Sequence, residues 1–185
     1  MRTDSKHLAL EKTRQALYIL SKSCTKEDIL INQLKALQAT LRHDMRVVID
    51  PYEIVSPFLA LLRAPSLSGP FKLVALDAIR TFLYLLSELP EKTGEALASV
   101  VDAVTKCKFV QTDAVGDDLV QLQIILTLDD VIRSPIRCYL TDNTTLDIIR
   151  SCHSVILHTA LTGTILISLF RKISFLLLYH ATNIG

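Results

Sequence analysis

The stretch Leu61–Leu83, "LLRAPSLSGPFKLVALDAIRTFL", decides how this chain is read. An apolar helical run stops at Ala64-Pro65, because a proline biases the residue before it away from the α region. Ser68-Gly69-Pro70 then makes a tight structural turn and opens another helix at once, since a proline costs nothing in the first helical turn. The new run reaches about Ser87 and is apolar on most sides. Phe71, Leu73, Val74, Leu76, Ile79, Phe82, Leu83, Leu85 and Leu86 leave only a thin polar seam of Lys72, Asp77, Arg80 and Thr81. A helix of this kind is central to a bundle or to a solenoid of helices.

Helical spacing continues on both sides of that stretch. Upstream, Leu8 to Leu20 carries Leu10, Arg14, Leu17 and Tyr18 at helical intervals, and Asp28 to Arg42 places Leu30, Leu34, Leu37 and Leu41 on one face. Thr25 is the candidate N-cap of the second of these. Pro51 sits where a helix begins, and Pro57 either kinks that helix or starts it. Downstream, Leu97, Val100, Val101, Val104 and Cys107 form an amphipathic stripe, and "FVQTDAVGDDL" reads as a polar connection. Asp117 and Asp118 stand where carboxylates favour the exposed N–H groups of a helix start. That helix, with Leu119, Leu122, Ile125, Leu126 and Ile132, ends at Ser134-Pro135, and "LTDNTTLDIIRSC" opens a last one with Ile149, Cys152, Val155 and Ile156 inward. Alternating strand patterns are missing. About eight helices joined by short turns predict an all-α array of helix pairs stacked side by side.

Composition narrows the function. The 185 residues make one domain or one module of a longer chain. Half are hydrophobic and the mean hydropathy is +0.36, a surplus that predicts surface covered by a partner or by neighbouring sequence. A net charge of +1 and the absence of Trp or any basic run argue against nucleic acid, which needs a basic stripe to displace counterions. Cys24, Cys107, Cys138 and Cys152 form no Cys-x-x-Cys pair, and the charged start has no apolar signal core, so a reducing cytosolic compartment is expected. Asn143-Thr144-Thr145 fits a glycosylation sequon but belongs to a helix-start loop. The apolar run Thr164–Tyr179 holds Arg171-Lys172 at its middle and spans sixteen residues, against about twenty for a membrane helix. It reads as a buried or partner-facing helix.

Reactive chemistry is not legible. The five glycines form neither a phosphate-cradling loop nor a dinucleotide fingerprint. Cys152, His153 and His158 do not converge on one helix face, so neither a metal site nor a Cys–His pair is assigned. Asp117-Asp118 and Asp129-Asp130 are neighbours about 100° apart on a helix; capping explains the first pair and a solvated face the second. The sequence therefore yields no catalytic, metal-binding or cofactor-binding residue.

Several short words in register point further. Pro57-Phe58-Leu59, Ser68-Gly69-Pro70 and Ala75-Leu76, then Asp102 to Thr105, Phe109 to Asp113 and Pro135 to Thr141, resemble the amino-terminal region of large Arf guanine-nucleotide exchange factors of the Golgi brefeldin-A-resistance (Gea/GBF) type. The resemblance runs from about Leu30 to Cys152. It implies a dimerisation and cyclophilin-binding domain over 28–158, an armadillo-like helical array that packs on a second, downstream helical domain. An N-terminal helix and linker precede it over 1–27.

On this reading the turn at Ser68-Gly69-Pro70 closes one helix pair, and the apolar helix after it is wedged between repeats. The role implied is regulatory and non-catalytic: dimerisation, control of a distant exchange domain, and cytoplasmic work at the periphery of Golgi membranes in vesicle transport. Cyclophilin is an implied partner, and the Arf GTPase is met only through the exchange domain, which this chain lacks.

The family pairs a basic residue before the Phe-Leu of this helix with an acid near the start of the Asp-Asp helix. Here Thr81 fills the basic slot, so Arg80 and Asp118 are the candidate dimer contact. After about His158 the sequence departs from the family. Residues 159–185 are a divergent apolar tail of the kind that a truncated or mis-spliced gene model produces. The alternative reading is an unrelated cytosolic helical-repeat scaffold for protein interaction.

Overall fold

A computed structural model of the protein describes residues 3–22, 28–42, 50–89, 92–111, 114–158 and 171. The expected cap Thr25 and all of the tail but Arg171 lie outside them. Among the described residues the fold is all-α, with seven helices: α1 (Thr3–Lys22), α2 (Asp28–Arg42), α3 (Pro51–Arg63), α4 (Gly69–Leu86), α5 (Thr93–Thr105), α6 (Ala114–Arg133) and α7 (Asp142–His158). A short 3₁₀ helix, Pro135–Tyr139, precedes α7. The polar connection expected after Phe109 is shorter than it reads, because α6 already begins at Ala114.

The helices stack in two rows. One row runs α1, α4, α6 and the other α2, α3, α5, α7; across the rows α1 packs on α2, α4 on α3, and α6 on α5. That is the stacked-pair array expected from the helix count. Helix α4 touches α1, α3, α5 and α6, which accounts for its apolar circumference: Ala75, Leu76, Ala78, Ile79, Phe82, Leu83, Leu85 and Leu86 are all buried. Phe82 meets Phe58 of α3 with ring centroids 5.2 Å apart and planes tilted by 46°, within the separation at which aromatic rings interact.

Local chemistry sets the ends. Asp50 caps α3, its carboxylate accepting from the Tyr52 N–H at 2.9 Å, with Pro51 in the first turn. Pro57 lies inside α3 and starts nothing; the Glu53 carbonyl it leaves without its usual donor accepts from Ser56 Oγ at 3.4 Å. The same problem recurs at Leu61, whose partner four residues on is Pro65. Here the ammonium of Lys72 takes the place of the missing N–H. Lys72, read above as part of a polar seam, is fully buried. Its Nζ donates to the carbonyls of Leu61 (2.7 Å), Leu62 (3.0 Å) and Ala64 (2.5 Å), capping the negative end of α3.

Ser68 is the N-cap residue of α4, and Gly69 and Pro70 open the helix, as the tight turn requires. A Cβ on Gly69 would lie 3.1 Å from Val120 Cγ2, so this glycine lets α4 approach α6 closely. An isolated parallel bridge joins Ser68 to Val110, whose N–H donates to the Leu67 carbonyl at 3.3 Å. At α7, Thr141 and Thr144 cap each other reciprocally, the Thr141 N–H on Thr144 Oγ1 at 2.8 Å and the Thr144 N–H on Thr141 Oγ1 at 3.3 Å. This places Asn143 at a helix start, as expected.

Two helix faces differ from the sequence reading. In α1 the buried residues are Ala9, Thr13, Ala16 and Leu20, while Leu10 and Leu17 are half-buried and Tyr18 is exposed. In α7 Ile148 and Cys152 are buried, with Ile149 and Val155 only partly so.

Candidate docking surface

The polar seam of α4 that remains outside the core faces away from α3. Asp77, Arg80, Thr81 and Tyr84 of α4, Leu8 of α1 and Asp130 of α6 line a shallow groove of about 420 Å³ across the first row. Two ion pairs fix its walls: Lys12 with Asp77 between α1 and α4, and Arg80 Nε with Asp130 between α4 and α6. Thr81 Oγ1 donates back to the Asp77 carbonyl at 3.2 Å. Leu8 and Tyr84 are 47% and 59% exposed. An exposed apolar and an exposed aromatic side chain beside paired charges make this groove a candidate docking surface.

Arg80 therefore lies in the groove, with its guanidinium turned onto Asp130. Asp118 is half-buried near the start of α6, about 18 Å of helix axis before Asp130. Within one chain the structure joins Arg80 to Asp130 and not to Asp118. The pair Asp129-Asp130 is not a solvated face. Asp130 holds Arg80, and Asp129 is only 6% exposed, its Oδ2 accepting from Arg133 Nε at 2.8 Å. The spacing of Asp129 and Arg133, four residues on a helix, was a visible signal for that bond. Nothing local marks Asp130, because its partner comes from α4.

Elsewhere the charged groups brace the surface. Asp102 is held below the usual carboxylate range by its hydrogen bond from Lys106, with Arg63 adding to it. Asp50 is lowered by the Tyr52 N–H and by Lys92. The thiols are quiet: burial pushes Cys107 up to about 11 against a small opposing effect of Lys72, and burial pushes Cys152 up to about 12. Cys138 is exposed. Among the described residues no three His, Cys, Asp or Glu side chains come together as a metal-binding group, and no helix is long and apolar enough to cross a membrane.

No family model matches the chain. Curated relatives do. The chain is 28% identical over 138 residues to the ARF guanine-nucleotide exchange factor GNL2 of Arabidopsis thaliana, covering 74% of this chain and 10% of the relative. It is 28% identical over 131 residues to ARF guanine-nucleotide exchange factor 1 of Saccharomyces cerevisiae, covering 70% and 9%. It is 29% identical over 153 residues to the Golgi-specific brefeldin A-resistance guanine nucleotide exchange factor 1 homolog of Caenorhabditis elegans, covering 80% and 8%. The chain thus spans about a tenth of the length of the relatives it matches, and over most of its own length it is similar to ARF guanine-nucleotide exchange factors.

Proposed function

We propose that this chain is a non-catalytic docking and regulatory module of a large Arf guanine-nucleotide exchange factor acting in Golgi vesicle transport. The exchange chemistry belongs to another part of that protein. The observation that supports this reading is the similarity of most of the chain to exchange factors of which it spans about a tenth, with the groove on the outer side of α1, α4 and α6 as the proposed docking surface. The proposed occupant is a second copy, with Arg80 of one chain meeting Asp118 of the other. For that, Arg80 has to leave Asp130. The remaining proposed contacts are a downstream helical domain of the parent, cyclophilin, and the Golgi surface through the parent, with the GTPase engaged only by its exchange domain.

Two measurements on the purified chain test the reading. Nucleotide release from a fluorescently loaded Arf should be unchanged when the chain is added, and accelerated release overturns the non-catalytic assignment. Light scattering at tens of micromolar should give a dimer that Arg80→Glu weakens; a monomer under these conditions overturns the self-association.

A further inference from the structure

Helix α6 is apolar on two opposite faces. One face, Val120, Ile124, Leu128 and Val131, is buried in the core. On the other, Val115, Leu119, Leu122 and Leu126 follow one another at intervals of four, three and four. Val115 is 73% and Leu119 50% exposed, and Leu122 and Leu126 are half-buried. A helix that ends a stack ordinarily turns a polar face outward. Among the described helices α6 ends the first row while the second row continues to α7, so the place beside α7 and on α6 is filled by none of the seven. One turn beyond Leu126, the Oδ1 of the buried Asp129 has no hydrogen-bond partner among the described residues.

We propose that this outer stripe of α6 is the docking site for residues 164–179 of the same chain. They follow α7 after a connection of only five residues, 159–163, a length usual between packed helices. Sixteen residues at helical rise extend about 24 Å, enough to cover the roughly 17 Å from Val115 to Leu126. Leu166, Leu169, Phe170, Ile173, Leu176 and Leu177 recur at intervals that make one apolar face. The segment also carries Arg171-Lys172, and the side chain of Arg171 is exposed. This assigns the apolar tail a place in the fold and gives the apolar surplus of the composition a destination.

Trypsin reports on the segment directly, because Arg171 and Lys172 are its cleavage sites. In the full chain, Leu119→Ser with Leu122→Ser should speed cleavage there about tenfold or more, since docking hides the segment only while it is closed. Tyr18→Ser on α1 should leave the rate unchanged. Equal rates in wild type and the double variant overturn the proposal. So does protection that disappears on dilution, which would mean that a second copy covers α6. Should the double variant fail to fold, Leu169→Ser with Ile173→Ser is tested against thiol labelling of a Leu122→Cys chain. Faster labelling supports the docking and an unchanged rate overturns it.

Discussion

Replacing Lys72 with methionine keeps the length of the side chain and removes its charge. In the wild-type chain the ammonium serves three carbonyls at the end of α3, two in buried surroundings and one partly wetted. Methionine strands the two buried acceptors, at about 1–3 kcal/mol each. It also relieves the desolvation of the ammonium, which offsets part of that loss. The net expectation is a destabilisation of about 2 kcal/mol, a fall of roughly 4–8 °C in Tm for a chain of this size. Urea unfolding followed by helical circular dichroism measures it: the midpoint should drop while the slope stays the same. Lys35→Met on the exposed side of α2 is the control and should change stability by no more than about 0.5 kcal/mol. A Lys72→Met chain as stable as wild type, or more stable, refutes the reasoning, because apolar packing would then outweigh the cap.

The thiols and Asp102 give two further expectations. At pH 8 a thiol reagent should modify Cys138 quickly and Cys107 and Cys152 only as the fold opens, since burial holds both thiols protonated at that pH; mass spectrometry of labelled peptides reads this out. The folded-state pKa of Asp102 is below its unfolded value, so its ion pairs contribute stability that is present above about pH 4 and is lost as pH falls through the folded value. Asp102→Asn should therefore flatten the acid limb of a stability–pH curve and leave its shape near neutrality unchanged.

The helices were legible through apolar spacing and prolines more than through caps, since α4 and α5 begin without a side-chain cap and α6 begins at Ala114, ahead of Asp117 and Asp118. The face of α1 was not. Leu10 and Leu17 outweigh Ala9 and Ala16 in hydropathy, yet small residues let α1 lie close to its neighbours, so the alanine face is the buried one. Thr13 joins that face because its hydroxyl donates to the Ala9 carbonyl at 2.9 Å and needs no water. Lys72 was misread for a related reason. A lysine normally seeks solvent, and the acceptors that keep this one inside exist only once Pro65 has removed a donor and α4 has folded back on α3. At the candidate surface, the family resemblance singled out Arg80 as an expected dimer contact. Its bond to Asp130 within the chain was not legible, because the register of α4 on α6 sets it, and no short sequence window contains both residues.

The two-row arrangement has a consequence for how disturbances spread. Among the described helices α1 touches only α2 and α4, and α7 touches only α5 and α6. Cooperativity in such a stack has a short reach, so loosening at the α7 end fades within one or two neighbours and leaves α1 to α4 seated. Evolution can lengthen, trade or erode the carboxyl-terminal coils of the array while its opening half keeps its shape.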